Sequence, residues 1–376
     1  MAGIYIHIPF CKQRCRYCAF YSTTLHALHD SYTAALCREI EQRKEYAGGE
    51  PVETIYLGGG TPSLLTEEHL ADILKSIHRN HSIAPNPEIT IECNPDDLTP
   101  AYAATLARLG FNRISMGVQS FCDEQLRRLG RRHTADGARE AVHNARAAGF
   151  RNISIDLMFA LPGSTPAQWA SDLRSAIELR PEHISAYNLT YEENTPLYRA
   201  LQKGEIAELS EEENLTQFNM LIEQMKAAGY RHYEISNFAR PGHESRHNSS
   251  YWHDIPYIGC GAGAHSYDGT SRGWNIADVQ LYIKGIKDGT PVFEVEQLSN
   301  EEHYNDAVLT RLRTADGLPA EWVKEKFGHT LYNYMMQAAR KEIAAGNLCQ
   351  TPDGRFTLTP KGIFVSDAVI REFIYV

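Results

Sequence analysis

No stretch of the 376-residue chain approaches the roughly 18 consecutive apolar residues of a membrane-spanning helix, so none is expected. The opening MAGIYIHIPFC lacks the basic segment and long apolar run of a secretory signal. Positive charge is not in excess either. Lys and Arg number 37 against 47 Asp and Glu, and the net charge of −10 argues against a general affinity for nucleic acid or anionic membrane. Internal repeats and low-complexity tracts are absent, which excludes solenoid, fibrous and disordered classes.

What is present is ordinary globular composition. Hydrophobic residues make up 43% and charged residues 22%, in a chain long enough for one large barrel-type domain and a smaller one. Eight cysteines without an export signal point to a reducing compartment, hence the cytoplasm. Cys37, Cys93, Cys122, Cys260 and Cys349 are scattered and read, for the most part, as small buried hydrophobes. Cys11, Cys15 and Cys18 crowd into eight residues and need another explanation.

Six short β-type runs, at 3–8, 53–57, 88–93, 113–117, 152–157 and 183–188, are separated by stretches of helical periodicity. Several helix starts are legible. Thr66 precedes two acids, Thr99 and Thr165 each precede a proline, and Ser210 with Glu213 forms a capping box. Such alternation implies parallel strands joined by right-handed crossovers, in an open doubly wound sheet or in a barrel. Functional-looking groups stand at nearly every strand end: the cysteine loop, Gly58–Gly60, Glu92, Gln119 and Asp156. A barrel gathers such groups at its carboxyl edge, so the expected fold class is α/β, a partial (β/α)6-type barrel spanning 1–237. From 238 to 294 the pattern loosens into a connecting segment rich in glycine and polar residues. The last stretch, 295–376, shows helical patterns at 301–313, 320–327 and 331–345, then two strand-like pieces around Pro-Asp-Gly. A small, mainly helical unit with a β wing is expected there.

Cys11-Lys-Gln-Arg-Cys15-Arg-Tyr-Cys18 places three thiols on one loop after a buried strand. Thiolates are the usual ligands of iron–sulfur clusters, and three of them leave one iron of a cubane open to a small molecule. Lys12, Arg14 and Arg16 are expected to favour thiolate over thiol. Structural zinc is the competing reading, but no fourth ligand stands at comparable spacing. Gly58-Gly59-Gly60-Thr61-Pro62 lets the backbone approach a ligand closely, yet it lacks the Gly-Lys-Ser/Thr ending of a triphosphate loop. Glu92 stands where a carboxylate accepts hydrogen bonds from ribose hydroxyls.

These motifs resemble those of the radical S-adenosylmethionine superfamily, whose barrel holds a [4Fe–4S] cluster on a CxxxCxxC loop. The resemblance implies that Cys11, Cys15 and Cys18 bind the cluster and that its free iron chelates the amino and carboxylate groups of S-adenosylmethionine. An electron from a donor such as a flavodoxin or ferredoxin would then yield methionine and a 5′-deoxyadenosyl radical. Over its whole length the chain is similar to the coproporphyrinogen III oxidase-like subgroup, beginning with Tyr5-Ile-His-Ile-Pro-Phe-Cys. By that resemblance Tyr5, Gly59 and Glu92 serve a first S-adenosylmethionine, and Tyr17, Gly60, Thr61, Gln119, Arg131 and Asp156 a second.

The subgroup has two branches. Its oxygen-independent coproporphyrinogen oxidases carry CxxxCxxCxC and an extension before the first strand. Here Phe20 holds the fourth cysteine's place and the strand begins at residue 3, which argues against that decarboxylation. The HemW family of haem chaperones resembles CxxxCxxCxF followed by HNxxYW, which this chain matches with Phe20 and His247-Asn248-Ser249-Ser250-Tyr251-Trp252. Imidazole is an axial haem ligand, and Tyr and Trp offer flat apolar faces. The resemblance implies haem bound by His247, Asn248, Tyr251 and Trp252 and passed to a haem-accepting protein, with membrane contact transient and through that acceptor. His253 and His265 are rivals to His247. Coproporphyrinogen III dehydrogenase is the alternative, and a radical enzyme with an unrelated substrate a third reading. The C-terminal unit resembles the family's winged domain. Its nine Lys/Arg against ten Asp/Glu from residue 300 onward favour a lid or docking surface over a nucleic-acid reader.

Overall fold

Runs rich in Ile, Val and Tyr fold into six parallel strands in the computed structural model, which describes residues 2–46 and 48–376. These are β1 (Ala2–Ile8), β2 (Val52–Gly59), β3 (Ile83–Cys93), β4 (Arg113–Gln119), β5 (Ile153–Phe159) and β6 (His183–Asn188). They pair in consecutive order. A doubly wound sheet reverses its order at a switch point, and this one does not. With every crossover right-handed, consecutive order puts the helices on one side and turns the other face inward as a lumen. The barrel architecture is thus decided by strand order. The sheet stays open, because its outer strands do not pair with each other.

The helices behave as their termini predict. Thr66 caps Glu67–Asn80 in a box completed by His69, and Ser210 and Glu213 form the box that opens Glu211–Ala227. Thr99 and Thr165 cap helices with proline in the first turn. Each such cap contributes about 1 kcal/mol. Leu70, Ile73, Leu74 and Ile77 repeat at helical spacing and bury the inner face of Glu67–Asn80.

The segment expected to be loosely connected is regular. β7 (Arg231–Glu234) and β8 (Asn237–Ala239) extend the sheet beyond β6. β9 (Tyr257–Cys260) lies parallel to β1, and β10 (His265–Tyr267), β11 (Ser271–Asn275) and β12 (Phe293–Gln297) continue antiparallel from it. Glycines that read as loop signals serve close approach instead: a Cβ on Gly259 would meet the His265 carbonyl oxygen at 1.9 Å.

The C-terminal unit has its own core, including Tyr304, Val308, Val323, Met335, Phe356 and Phe373. Helices Asn300–Arg311, Ala320–Phe327 and His329–Ala344 accompany a wing of β13 (Leu318–Pro319), β14 (Leu348–Gln350) and β15 (Arg355–Leu358). Two further short helices, Pro360–Phe364 and Ser366–Phe373, close the chain. The unit docks through the Arg313 carbonyl, which accepts from the Ile235 amide at 3.1 Å, and through the Arg313 guanidinium on the buried Glu234 carboxylate at 2.8 Å. Of the scattered cysteines, Cys93 and Cys260 are buried, Cys37 and Cys122 half-buried and Cys349 exposed. No helix among the described residues is long and apolar enough to cross a membrane.

Candidate functional site

The cysteine loop leaves the carboxyl end of β1 and is pinned on three sides. The Cys11 amide donates to the Thr23 carbonyl at 2.9 Å and the Arg16 amide to the Leu129 carbonyl at 3.0 Å. The Leu197 amide in turn donates to the Arg16 carbonyl at 2.8 Å. Thr61, at the end of β2, directs its hydroxyl at Cys11 Sγ over 3.6 Å. Arg131 directs Nη1 at Cys15 Sγ over 3.3 Å, while its Nη2 binds Asn94 Oδ1 at 2.7 Å and the Gly117 carbonyl at 2.5 Å. Thr61 and Arg131, expected at a cofactor, thus also touch the thiols. Asn94, two residues beyond Glu92 at the end of β3, carries no motif of its own in the sequence.

Arg14 acts on the loop thiols in the expected direction, but burial outweighs it. Burial raises the thiol pKa values of Cys11 and Cys18, and charge on neighbouring thiols adds to the rise, while Arg14 offsets only part of it. Lys12 is turned away to the buried Asp97 at 2.6 Å, which also accepts from Ser63 at 2.9 Å. That network ties the loop to the ends of β2 and β3. No three His, Cys, Asp or Glu side chains among the described residues close on a single ion. The three thiols instead neighbour one another closely enough to sense each other's charge. A cubane gives each thiolate its own iron, so this donor set fits a cluster, and donors aimed at two of the sulfurs suit the anionic form.

Behind the loop, β2 ends in a cradle. Gly59 has φ of +109°, and a Cβ there would meet the His7 ring at 2.5 Å. The Gly59 amide donates to Glu92 Oε2 at 3.1 Å, the Gly60 amide to the Ile8 carbonyl at 2.8 Å and the Tyr56 hydroxyl to Glu92 Oε1 at 2.7 Å. Glu92 is held within the lumen, where desolvation lifts its carboxyl to about 7. Asp156 shares the lumen. Desolvation raises it to about 6 against hydrogen bonding from Ser185 and the charge of Arg113. Tyr5 shares a hydrogen bond of 2.9 Å with His7 Nδ1 and stacks on Tyr56 at 6.2 Å. Gln119 ends β4 with φ of +69°, a conformation that costs a non-glycine residue on the order of 1 kcal/mol. Tyr17 is half-buried against the small cluster that contains Leu129 and Met158. The structure places Gly59, Gly60, Thr61, Gln119, Tyr17 and Arg131 around the carboxyl end of the barrel, Glu92 and Asp156 in its lumen, and Tyr5 midway along β1 opposite Tyr56.

The His247–Trp252 motif lies elsewhere. It forms the helix Arg246–Trp252, capped by Ser245 and by the Glu88 carboxylate, which accepts the amides of Arg246 and His247. His247 is 1% exposed. Its Nδ1 pairs with Thr54 Oγ1 and its Nε2 with the Tyr251 hydroxyl, both at 2.8 Å, and its ring stacks on Tyr56 at 5.0 Å. Desolvation lowers its pKa to about 3. Thr54 lies five residues before Gly59, about 16 Å along the strand, so His247 plugs the amino end of the barrel, away from the cysteine loop. The resemblance implies that all four motif residues face haem. Tyr251 lines a cavity, and Trp252 packs on Tyr233 at 5.7 Å. The motif is helical, so His247 and Tyr251, four residues apart, meet on one face.

That cavity, of about 660 Å³, opens between β1, β9–β11, the tail of the cysteine loop and the helix Asn300–Arg311. Its walls include Phe20, Tyr21, Tyr251, Tyr257, His265 and Arg272. Phe20 is 72% exposed.

The Radical SAM superfamily model matches residues 5–176, and the HemN C-terminal domain model matches residues 298–365. Fold and site together define a radical S-adenosylmethionine protein, a class that carries a [4Fe–4S] cluster and S-adenosylmethionine. The heme chaperone HemW of Bacillus subtilis is 35% identical over 379 residues, covering 100% of this chain and 99% of that protein. The Escherichia coli heme chaperone HemW is 41% identical over 269 residues, 70% of this chain and 69% of that one. The solved structure of coproporphyrinogen III oxidase (HemN) from Escherichia coli superposes with a TM-score of 0.85 over 99% of this chain and 90% of that chain, at 24% identity, a likeness of fold. The chain belongs to the HemW heme chaperone family.

Proposed function

We propose that this protein is a cytoplasmic haem chaperone, which binds haem and passes it to haem-protein acceptors, any membrane contact being transient and made through the acceptor. Cys11, Cys15 and Cys18 hold the [4Fe–4S] cluster. Tyr5, Gly59 and Glu92 serve one S-adenosylmethionine, and Tyr17, Gly60, Thr61, Gln119, Arg131 and Asp156 are positioned for a second. When bound, the cluster would supply one-electron chemistry, fed by a donor such as a flavodoxin or ferredoxin. The residues of this chain orient the nucleotide: Glu92 accepts from ribose hydroxyls, and the glycine turn admits the methionine end. His247, Asn248, Tyr251 and Trp252 serve haem, Tyr251 from the cavity wall and His247 through its hydrogen bond to the Tyr251 hydroxyl.

The observation that carries this reading is Phe20. It stands two residues after Cys18, exposed, on the wall of an aromatic cavity of ligand size. A flat apolar macrocycle suits such a wall, and an apolar side chain there offers no thiol for decarboxylation chemistry. The test uses anaerobically purified, cluster-reconstituted protein. Titration with haemin is expected to give stoichiometric binding, and incubation with coproporphyrinogen III, S-adenosylmethionine and a reductant no protoporphyrinogen. Multiple-turnover decarboxylation would instead make this the biosynthetic dehydrogenase.

A further inference from the structure

The cavity beside Phe20 contains one imidazole whose nitrogens are uncommitted. Every other histidine close to it is engaged. His7 shares Nδ1 with the Tyr5 hydroxyl at 2.9 Å and Nε2 with the Tyr21 carbonyl at 3.3 Å. His247 is held by Thr54 and Tyr251. His253 binds the Ser249 carbonyl through Nδ1 at 2.7 Å and lies 3.5 Å from Asp316 through Nε2. His303 Nε2 is 3.4 Å from the Tyr267 hydroxyl. His265 forms no side-chain hydrogen bond among the described residues and is exposed on the cavity wall.

Its direction is fixed by the sheet. β10 alternates, so Ser266 points to the opposite face, where its hydroxyl accepts from the Gly259 amide and from Arg43, each at 2.9 Å. His265 and Tyr267 therefore share the cavity face. Across the antiparallel pair His265 stands opposite Trp274, with ring centroids 6.3 Å apart, and Tyr267 stands opposite Arg272. One face thus presents an imidazole and aromatic rings, with the Arg272 guanidinium paired to the Asp306 carboxylate on the same wall. An iron tetrapyrrole needs an axial donor and flat apolar walls. Partial burial and the charge of Arg272 both lower the His265 pKa, which favours the neutral ring that ligates iron.

We infer that His265 supplies the axial imidazole to the iron of a haem seated between β9–β11 and the helix Asn300–Arg311. This rests on the haem reading above. Because His265 is exposed and makes no structural hydrogen bond, His265→Ala is expected to fold normally.

The test titrates the full, cluster-reconstituted chain and its His265→Ala variant with haemin and, separately, with iron-free protoporphyrin IX, following the Soret band. Losing even an outer-shell partner of a metal ligand lowers affinity roughly 10–100-fold. His265→Ala is therefore expected to weaken haemin by about tenfold or more and to leave protoporphyrin IX within about twofold. Millimolar imidazole is expected to restore the wild-type haemin spectrum. An unchanged haemin spectrum and affinity in the variant overturns the assignment to His265 while haem binding itself stands. Equal loss of both ligands overturns it too, since His265 is then only a wall. Failure of the wild-type chain to bind haemin overturns the haem reading beneath it.

Discussion

Nη1 of Arg131 lies 3.3 Å from Sγ of Cys15, although 116 residues separate them in the chain. The same guanidinium binds Asn94 and the Gly117 carbonyl, so the cysteine loop is fastened to the ends of β3 and β4 by one side chain. Charge-assisted hydrogen bonds of this kind contribute about 2 kcal/mol each. Arg131→Ala is expected to assemble less cluster and to surrender iron to a chelator roughly tenfold faster. Iron and sulfide per chain, with the decay of the visible absorbance, measure this. A wild-type rate of loss would mean that Arg131 does not hold the thiolate.

Cys15→Ala is expected to abolish the cluster's brown absorbance and leave the far-ultraviolet circular dichroism unchanged, because the thiol belongs to a surface loop and not to the barrel core. Retention of full iron and sulfide content would refute the ligand assignment.

His247→Ala removes two buried hydrogen bonds and a ring stacked against Tyr56. Leaving Thr54 and Tyr251 without a partner at the barrel floor is expected to destabilise the fold by about 2–4 kcal/mol. Denaturant unfolding of the apo-protein reads this directly. A variant as stable as wild type would show that His247 is not a structural plug.

Gly59→Ala forces a side chain into the left-handed region and against the His7 ring. The expected outcome is a loss of about 1–3 kcal/mol together with weakened S-adenosylmethionine binding and an undiminished iron content. Equilibrium dialysis against labelled S-adenosylmethionine separates the two effects; unaltered affinity would remove Gly59 from the nucleotide site.

Glu92 sets a pH dependence. Its carboxyl is raised from 4.5 to about 7 by desolvation. Between those values the folded state binds more protons than the unfolded one, so stability is full below about 4.5 and falls as pH rises through 7. At 1.36 kcal/mol per pH unit the loss is at most about 3 kcal/mol. The urea midpoint of the apo-protein is expected to drop between pH 5 and pH 8, and Glu92→Gln to flatten that slope. An identical slope in the variant would assign the titration to another group, Asp156 being the next candidate.

Much of the site was legible in order along the chain, because short-range chemistry fixes it. CxxxCxxC places three thiols on one loop whatever the rest does, and GGGTP marks a strand end where the backbone is open to close approach. Thr66, Thr99, Thr165 and Ser210 announce their helices through local capping, and the periodicity of Leu70 to Ile77 marks a buried face. What resisted was whatever depends on strand order or on approach between distant segments. Gly259 reads as a loop signal and is a point where two strands nearly touch. Asn94 has no motif around it and acquires its role only when β3 lies beside the loop.

The sequence by itself determined the cysteine loop, the helix boundaries, the α/β class and the ordered polar groups at strand ends, since each follows from residues near one another in the chain. The tertiary structure decided that the strands run consecutively into an open barrel and that 238–294 joins that sheet. It also decided that His247 faces its floor while His265 faces a cavity. Those choices depend on which segments pack together, and a histidine's chemistry is set by whether its nitrogens are already held or still free to bind.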